Sequence, residues 1–321
     1  LEWRRLGGSA TLRLVLSSES SLRDDARAAR EFLDSLTAKQ AQATAMPSLL
    51  SEQHFPAYPQ WRALITQATQ AIAAGEMDKV VLARATDLHF AAPLNAGSIM
   101  AASRRSNLNC FHFLMAFTPR EAFVGSTPER LWRRRGALLR TEALAGTVAS
   151  HADDRQAQRL GNWLMGDDKN QRENMLVVED ICQRLQGETR ALEVLPPQIV
   201  RLRKVQHLRR CIWAELDKPD DARCLHLLQP TAAVAGLPRQ VALDFITRNE
   251  LFTRGWYAGS AGYLSLAQSE FCVSLRSAKV ENHTLRLYAG AGIVSGSDPE
   301  QEWQEIENKA AGLRSLLLTE T

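Results

Sequence analysis

CFHFLMAFTPREAFVGSTPERLWRRRGALL, residues Cys110 to Leu139, reads as strand, turn, strand and turn again. Cys110 to Val124 is apolar and aromatic, the composition of a half-buried pleated surface, and Thr118-Pro119 breaks it once. Leu131 to Leu139 then doubles back about Gly136, a residue suited to a tight hairpin, which makes Arg133, Arg134 and Arg135 a solvated hairpin tip. Strands joined directly by turns build antiparallel sheet, whereas a doubly wound parallel sheet needs a helix after each strand. The fold class expected is therefore α+β.

Working outward, Trp61 to Ala74 has helical spacing and stops at Gly75, and Lys79 to Phe90 is strand-like around Val80, Val81 and Leu82. Further back, Thr11 to Ser17 alternates like a strand, Leu22 to Leu36 has helical periodicity, and polar Thr37 to Pro56 reads as loop. Toward the C-terminus, His151 to Leu185 contains a long helical stretch whose broad apolar face carries Val177, Val178, Ile181, Cys182 and Leu185. Short strand signals return between Leu195 and Trp213, and Pro230 to Pro238 is too rich in Pro, Ala and Gly for a regular element. Glu270 to Leu275 and Thr284 to Tyr288 read as strands leading into Ala289-Gly290-Ala291-Gly292. A last helix starts where Ser297 and Glu300 fit a capping box and Pro299 suits the first turn. With no repeat, low-complexity tract or linker, residues 1–321 are expected to form one domain.

Composition bounds the function. The 321 residues are 45% apolar and 23% charged, and 39 basic against 36 acidic residues give a net charge of +3, too diffuse for a nucleic-acid footprint. No apolar run approaches the roughly 18 residues of a membrane span. Five scattered cysteines without a C-x-x-C pair suggest a reducing, cytoplasmic setting. The start at Leu1 with no apolar h-region argues against a signal peptide and suggests a missing upstream segment. Only seven lysines stand in this arginine-rich chain, and lysine, unlike arginine, can surrender its proton.

Several constellations could carry chemistry. Glu302, Glu305 and Lys309 lie along one stripe of the last helix, although spacing alone favours a solvated Glu305-Lys309 pair worth about 0.3–0.5 kcal/mol. Glu173, near Lys169, taken alone is likewise a surface residue. Two such acidic helices could nevertheless share Mg²⁺, which keeps several waters and needs one or two protein carboxylates plus an anionic substrate. The turn at Gly290 to Gly296 lacks the G-x-G-x-x-G spacing, yet its backbone N–H groups and Arg276 could hold a carboxylate. Glu129, just after Pro128, is placed as a loop-borne general acid would be. No zinc spacing or G-x-S-x-G elbow is present.

In order along the chain, GEMDKVVLAR (Gly75 to Arg84), GSTPERL (Gly125 to Leu131), TEALAGT (Thr141 to Thr147), QRENMLVVEDI (Gln171 to Ile181), VQHL (Val205 to Leu208), QPTAAVAGLPR (Gln229 to Arg239), RGWYAGSAGYL (Arg254 to Leu264), SLRSAKV (Ser274 to Val280) and YAGAGIVSGSDPEQEWQEIENKA (Tyr288 to Ala310) resemble the motifs of the chorismate-utilising enzymes. That family includes isochorismate, salicylate, anthranilate and aminodeoxychorismate synthases, and the resemblance spans roughly Trp61 to Leu317. It implies a single catalytic domain of antiparallel sheets packed together with helices outside, chorismate as substrate and Mg²⁺ as cofactor. The resemblance places the metal on Glu173 and Glu305, with Glu302 close by, and the enolpyruvyl carboxylate on Arg276 and Tyr257. It puts Gly146, Thr147, Gly290, Gly292 and Lys309 around the ring carboxylate and His207 at the ring.

Three positions distinguish branches of the family. Lys79 stands where water-using members carry a lysine base and ammonia-using ones have Gln; Ala145 replaces a nucleophilic Lys of aminodeoxychorismate synthases; Ala233 replaces a Thr common in amine-forming relatives. The reaction implied is isochorismate formation, with water adding at ring C2 and hydroxyl leaving C4, Lys79 as base and Glu129 as acid. A base has to be neutral when it acts, and burial is the lever expected to achieve this. TEALAGT in place of S-x-P-L-A-G tilts the resemblance toward the menaquinone pathway over siderophore synthesis, while Gln229 replaces a common family His. Salicylate synthase is the nearest alternative, a non-catalytic chorismate-binding regulator the alternative outside enzymes. No glutamine amidotransferase partner, nucleic acid or membrane is expected.

Overall fold

Residues 2–19, 21–36 and 46–317 are described in the computed structural model. The elements run β1 (Glu2–Leu6), β2 (Ser9–Arg13), α1 (Leu22–Ser35), β3 (Leu49–Phe55), α2 (Tyr58–Ala73), β4 (Lys79–Phe90), α3 (Ala96–Ser106), β5 (Phe111–Thr118), β6 (Glu121–Thr127), β7 (Arg130–Arg135), β8 (Leu138–Ala149), α4 (Asp154–Gly166), α5 (Asp168–Leu185), β9 (Thr189–Val194), β10 (Gln198–Arg201), β11 (Val205–Leu216), α6 (Asp221–Leu228), β12 (Gly236–Leu237), α7 (Arg239–Asn249), β13 (Ser260–Leu264), β14 (Gln268–Val273), β15 (Ser277–Glu281), β16 (Thr284–Ile293) and α8 (Pro299–Arg314).

Two compact units result, residues 1–44 and 45–321. In the first, β1 and β2 pair as a hairpin and α1 buries none of its side chains. The second holds all the family motifs and two seven-stranded antiparallel sheets. One has the order β12-β4-β16-β15-β6-β5 with β3 added on β4; the other runs β10-β11-β8-β7-β14-β13 with β9 added on β11. The α+β class with packed antiparallel sheets is what the structure has.

Alternation along β4 and β16 explains how one sheet serves both a core and a site. Val80 and Leu82, with Ala289, Ala291 and Ile293, pack under Trp61 and Ile65 of α2, Ala242 of α7 and Ile306 of α8. The opposite face presents Lys79, Val81, Ala83 and Ala85, and on β16 Tyr288, Gly290 and Gly292. Ala83, Ala85 and Tyr288 join the core shared with the second sheet, where α5 packs Val177, Val178 and Ile181 beside Ala143 and Ile212.

Several local expectations are corrected. Thr37–Pro56 reads in sequence as loop, but Leu49–Phe55 pairs with β4; it is an edge strand, partly exposed, so its polar residues hide the alternation. Residues 37–45 of that stretch lie outside the described residues. The strand expected at Thr11–Ser17 is Ser9–Arg13, which pairs with β1 across the turn at Gly7 (φ 58°). The helical stretch before Leu185 is two helices, divided at Asp167, whose carboxylate accepts from Asn170 N. Asp298, not Ser297, caps α8, accepting from Glu300 N and Gln301 N. Arg134 is no solvated tip: it is 4% exposed and donates to both oxygens of Asp221, at 2.8 and 2.6 Å.

Candidate active site

The chain changes sheet four times among the described residues, and two of these crossovers are neighbours. Pro128-Glu129 links β6 to β7, and Ser274 to Arg276 links β14 to β15. The two crossovers are tied together, Val273 N donating to Glu129 O at 3.1 Å and Ser126 N to Arg276 O at 3.1 Å. Beside them a small cavity opens between the sheets. Glu129, Gly146, Thr147, Glu173, His207, Ala233, Tyr257, Arg276, Gly290, Gly292 and Lys309 all line it. Lys79 and Glu305, also expected at the site, are not in its wall.

Both are one contact away. Lys79, fully buried on β4, donates from Nζ to Glu173 Oε1 at 3.1 Å, and Lys309 pairs with Glu305 at 2.5 Å and donates to Gly290 O at 3.0 Å. The Glu305-Lys309 pair favoured by spacing thus exists, but both partners are partly buried and the lysine faces the cavity. A β-carbon on Gly292 would lie 2.2 Å from Glu173 Oε1 and 3.0 Å from Lys79 Cε. The bare glycine is therefore what leaves room in front of both groups.

On the second sheet a bulge aims the polar residues. Register between β8 and β11 shifts from His207↔Thr147 to Arg209↔Leu144. Carbonyls released by that irregularity are collected by buried Asn174 of α5, which donates to Ala143 O, Ala145 O and Leu208 O at 3.3, 3.0 and 3.2 Å. Gly146 takes a left-handed φ of 85°, and Thr147 N donates to Asn170 Oδ1 at 3.0 Å. Asn170, Glu173 and Asn174 share one face of α5, so the carboxylate and its supporting amides come on one helix.

The electrostatics follow from burial among cations. Burial first, then the charge of Glu142, pushes the Glu129 carboxyl up to about 8 against the pull of Lys79, Lys309 and Arg276. His207 sits well below its ordinary value because it is buried and faces Arg276 and Lys309. Arg276 Nη2 lies 2.7 Å from His207 Nε2, and a guanidinium can only donate, so Nε2 is the acceptor. The ring proton is then on Nδ1, facing Thr147 Oγ1 at 3.1 Å. Burial raises the Tyr257 phenol to about 12, and its ring stacks on Tyr288 with centroids 5.3 Å apart.

Acidic charge is concentrated at one end. Burial and the neighbouring charge of Glu305 push Glu302 up to about 7, although Lys169 donates to it at 2.9 Å. Burial lowers Lys169, but attraction to Glu302, Glu173 and Glu305 outweighs it and the net direction is up. Among the described residues no three His, Cys, Asp or Glu side chains converge as a complete metal cage. Glu173 and Glu305, each paired with a lysine, offer oxygen only, the donor chemistry of a hard cation that keeps water and takes further oxygens from an anionic substrate. Sequence reasoning gave no role to Asn170, Asn174, Tyr288 or Glu142; the first two had a signal, their helical spacing from Glu173.

Comparison with known proteins agrees with this architecture. Residues 5–318 match the family described as chorismate binding enzyme. The chain is 69% identical over 320 residues to isochorismate synthase MenF of Escherichia coli, covering 100% of this chain and 74% of that one. It is 48% identical over 261 residues to isochorismate synthase MenF of Haemophilus influenzae, covering 81% of this chain and 61% of the relative. The solved structure of the menaquinone-specific isochorismate synthase MenF of Escherichia coli superposes with a TM-score of 0.92 over 98% of this chain and 74% of that one. Anthranilate synthase component I of Streptococcus pneumoniae, 22% identical, shares the fold with a TM-score of 0.77 over 92% of this chain and 66% of that one. This chain belongs to the chorismate-binding enzymes. Its particular resemblance is to the isochorismate synthases of that family.

Proposed function

We propose that this chain converts chorismate reversibly to isochorismate, as the MenF relatives are named for doing, in the menaquinone pathway. The observation that carries the site assignment is Glu129: a carboxyl in the cavity wall, raised to about 8, that holds a proton at neutral pH. A leaving hydroxyl needs a proton donor, and an ordinary exposed carboxylate has no proton to give near pH 7.

In this reading Arg276 and the Tyr257 phenol receive the enolpyruvyl carboxylate. The ring carboxylate lies toward Gly146, Thr147, Gly290, Gly292 and Lys309, with His207 and Ala233 beside the ring. Glu173 and Glu305 would hold Mg²⁺, which when bound offsets the charge of the dianionic substrate and orients it. Lys79, behind Glu173 and Gly292, takes a proton from the water that attacks C2, and Glu129 gives one to the oxygen departing from C4. Water as nucleophile requires no glutamine amidotransferase. Among the described residues no helix is long and apolar enough to cross a membrane, and all five cysteines are free thiols, in keeping with a cytoplasmic setting.

The test is incubation of the purified protein with chorismate and Mg²⁺ and chromatographic identification of products, with Lys79→Ala and Glu129→Gln alongside. Isochorismate, lost in both variants, is expected. Salicylate with pyruvate as the enzymatic product would move the chain to the lyase branch, and undiminished turnover in either variant would overturn the assigned roles.

A further inference from the structure

The β7-β8 ladder runs only from Arg135↔Leu138 to Arg133↔Arg140. Nearer to Glu129 the strands are held by side chains: Thr141 Oγ1 donates to Leu131 O at 2.6 Å, and Arg130 N donates to Glu142 Oε1 at 2.8 Å. Thr141 and Glu142 are 1% and 3% exposed. Glu142 Oε1 thus grips the peptide that follows Glu129. The other oxygen, Oε2, is buried without a hydrogen-bond partner, 3.7 Å from Arg130 Nη1, while Arg130 Nε donates to Glu270 at 3.0 Å.

A buried carboxylate with one unsatisfied oxygen is a costly way to hold a backbone N–H, because a neutral amide oxygen accepts the same bond without desolvating a charge. The charge itself must therefore be useful. Resting on the reading of Glu129 as the acid, we propose that Glu142 is a positioning residue that fixes the Glu129-Arg130 peptide and places a carboxylate against it. The charged groups around the pair are accounted for. Lys79, Lys309 and Arg276 favour the Glu129 anion, with Glu142 opposing them. Burial outweighs the Arg130 N–H and the charges of Arg130, Arg209 and Arg140, so Glu142 lies above the ordinary carboxylate value.

The experiment is the pH dependence of kcat/KM for chorismate in the wild type, Glu142→Gln and Glu142→Asp, with Glu129→Gln as reference. Glu142→Gln keeps an oxygen for Arg130 N and loses the charge, so the alkaline limb moves to lower pH by about one unit. Glu142→Asp keeps the charge but is a methylene too short, so the limb stays while kcat falls about tenfold or more from the displaced acid. A limb unmoved in Glu142→Gln overturns the inference, and if that variant does not fold, wild-type kcat in Glu142→Asp does so. A merely structural Glu142 would lower stability without moving the limb. If Glu129→Gln itself turns over normally, the reading of the acid fails; if it is inactive and the Glu142→Gln limb is unmoved, only the role of Glu142 fails.

Discussion

Gly292→Ala tests whether the groups facing the empty space at Gly292 carry the reaction. The added methyl would lie 2.2 Å from Glu173 Oε1 and 3.2 Å from its Cδ, where 3.4 Å is the start of ordinary contact. Glu173 must therefore retreat by about 1.2 Å, and Lys79 Cε, at 3.0 Å, must give by a few tenths. The carboxylate is the far end of a flexible chain beside a cavity, so the fold can absorb the change; complete loss of the Lys79 partner would set the upper bound, about 3–5 kcal/mol. Catalysis has less tolerance. Misplacement of a reacting or orienting group by about 1 Å costs roughly 100-fold, so kcat/KM should fall at least that far. Initial rates of isochorismate formation at saturating Mg²⁺, read beside a thermal melt, measure both effects. Gly312→Ala, whose methyl would have as its nearest neighbour Asn107 Oδ1 at 3.9 Å, is the control and should match the wild type. A folded Gly292→Ala enzyme retaining more than about a third of wild-type kcat/KM, a loss of under 1 kcal/mol of transition-state stabilisation, would refute the assignment of Lys79 and Glu173.

With Glu129 raised to about 8 and proposed to act in its protonated form, kcat/KM should be sustained below that pH and fall about tenfold per unit above it; a profile flat to pH 10 would contradict the role. Chelation of divalent ions should abolish turnover and added Mg²⁺ restore it, while Glu305→Gln should raise the Mg²⁺ needed for half-maximal thermal stabilisation about tenfold or more. Far from the site, Arg134→Met leaves Asp221 partly buried without its guanidinium and should cost about 3–5 kcal/mol, read as a lower thermal midpoint with kcat unchanged.

What the sequence made visible was set by locality. Lys79–Phe90 could be read to the residue because a long β-branched and apolar run between Gly75 and Pro93 has no competing interpretation. Leu49–Phe55 could not, since an edge strand half in solvent keeps polar residues on both faces and its pairing with β4 is a long-range fact. Arg134 misled for the same reason: a charged triplet beside a glycine looks solvated until α6 brings Asp221 to it. At the site, Lys79, Glu129 and Glu173 are separate in sequence and individually ordinary, and spacing alone favoured the bland reading of each acidic helix. The family motifs overcame this by their order. They did not point to Asn174 or Glu142, whose importance lies in which backbone groups they satisfy after the strands have paired.

The cavity also has a topological reason. A chain that builds two stacked antiparallel sheets must pass between them, and the passages at Pro128-Glu129 and Ser274–Arg276 fall side by side. Regular ladder pairing cannot continue through such a passage, so side chains there are freed from the alternation that commits strand residues to core or solvent. Arg276 shows the local cost, with φ at 49° for a residue that is not glycine. The surrounding bonds, from Ser126 N to its carbonyl and from its guanidinium to His207, are what hold that conformation. Glu129 and Arg276, the proposed acid and carboxylate-binding cation, thus sit where the two sheets exchange chain, while β4 and α5 deliver Lys79 and Glu173 from rigid elements on either side. The same break in pairing that admits a substrate between the sheets leaves Arg130 and Leu131 without ladder partners on β8, and so creates the need that Thr141 and Glu142 fill.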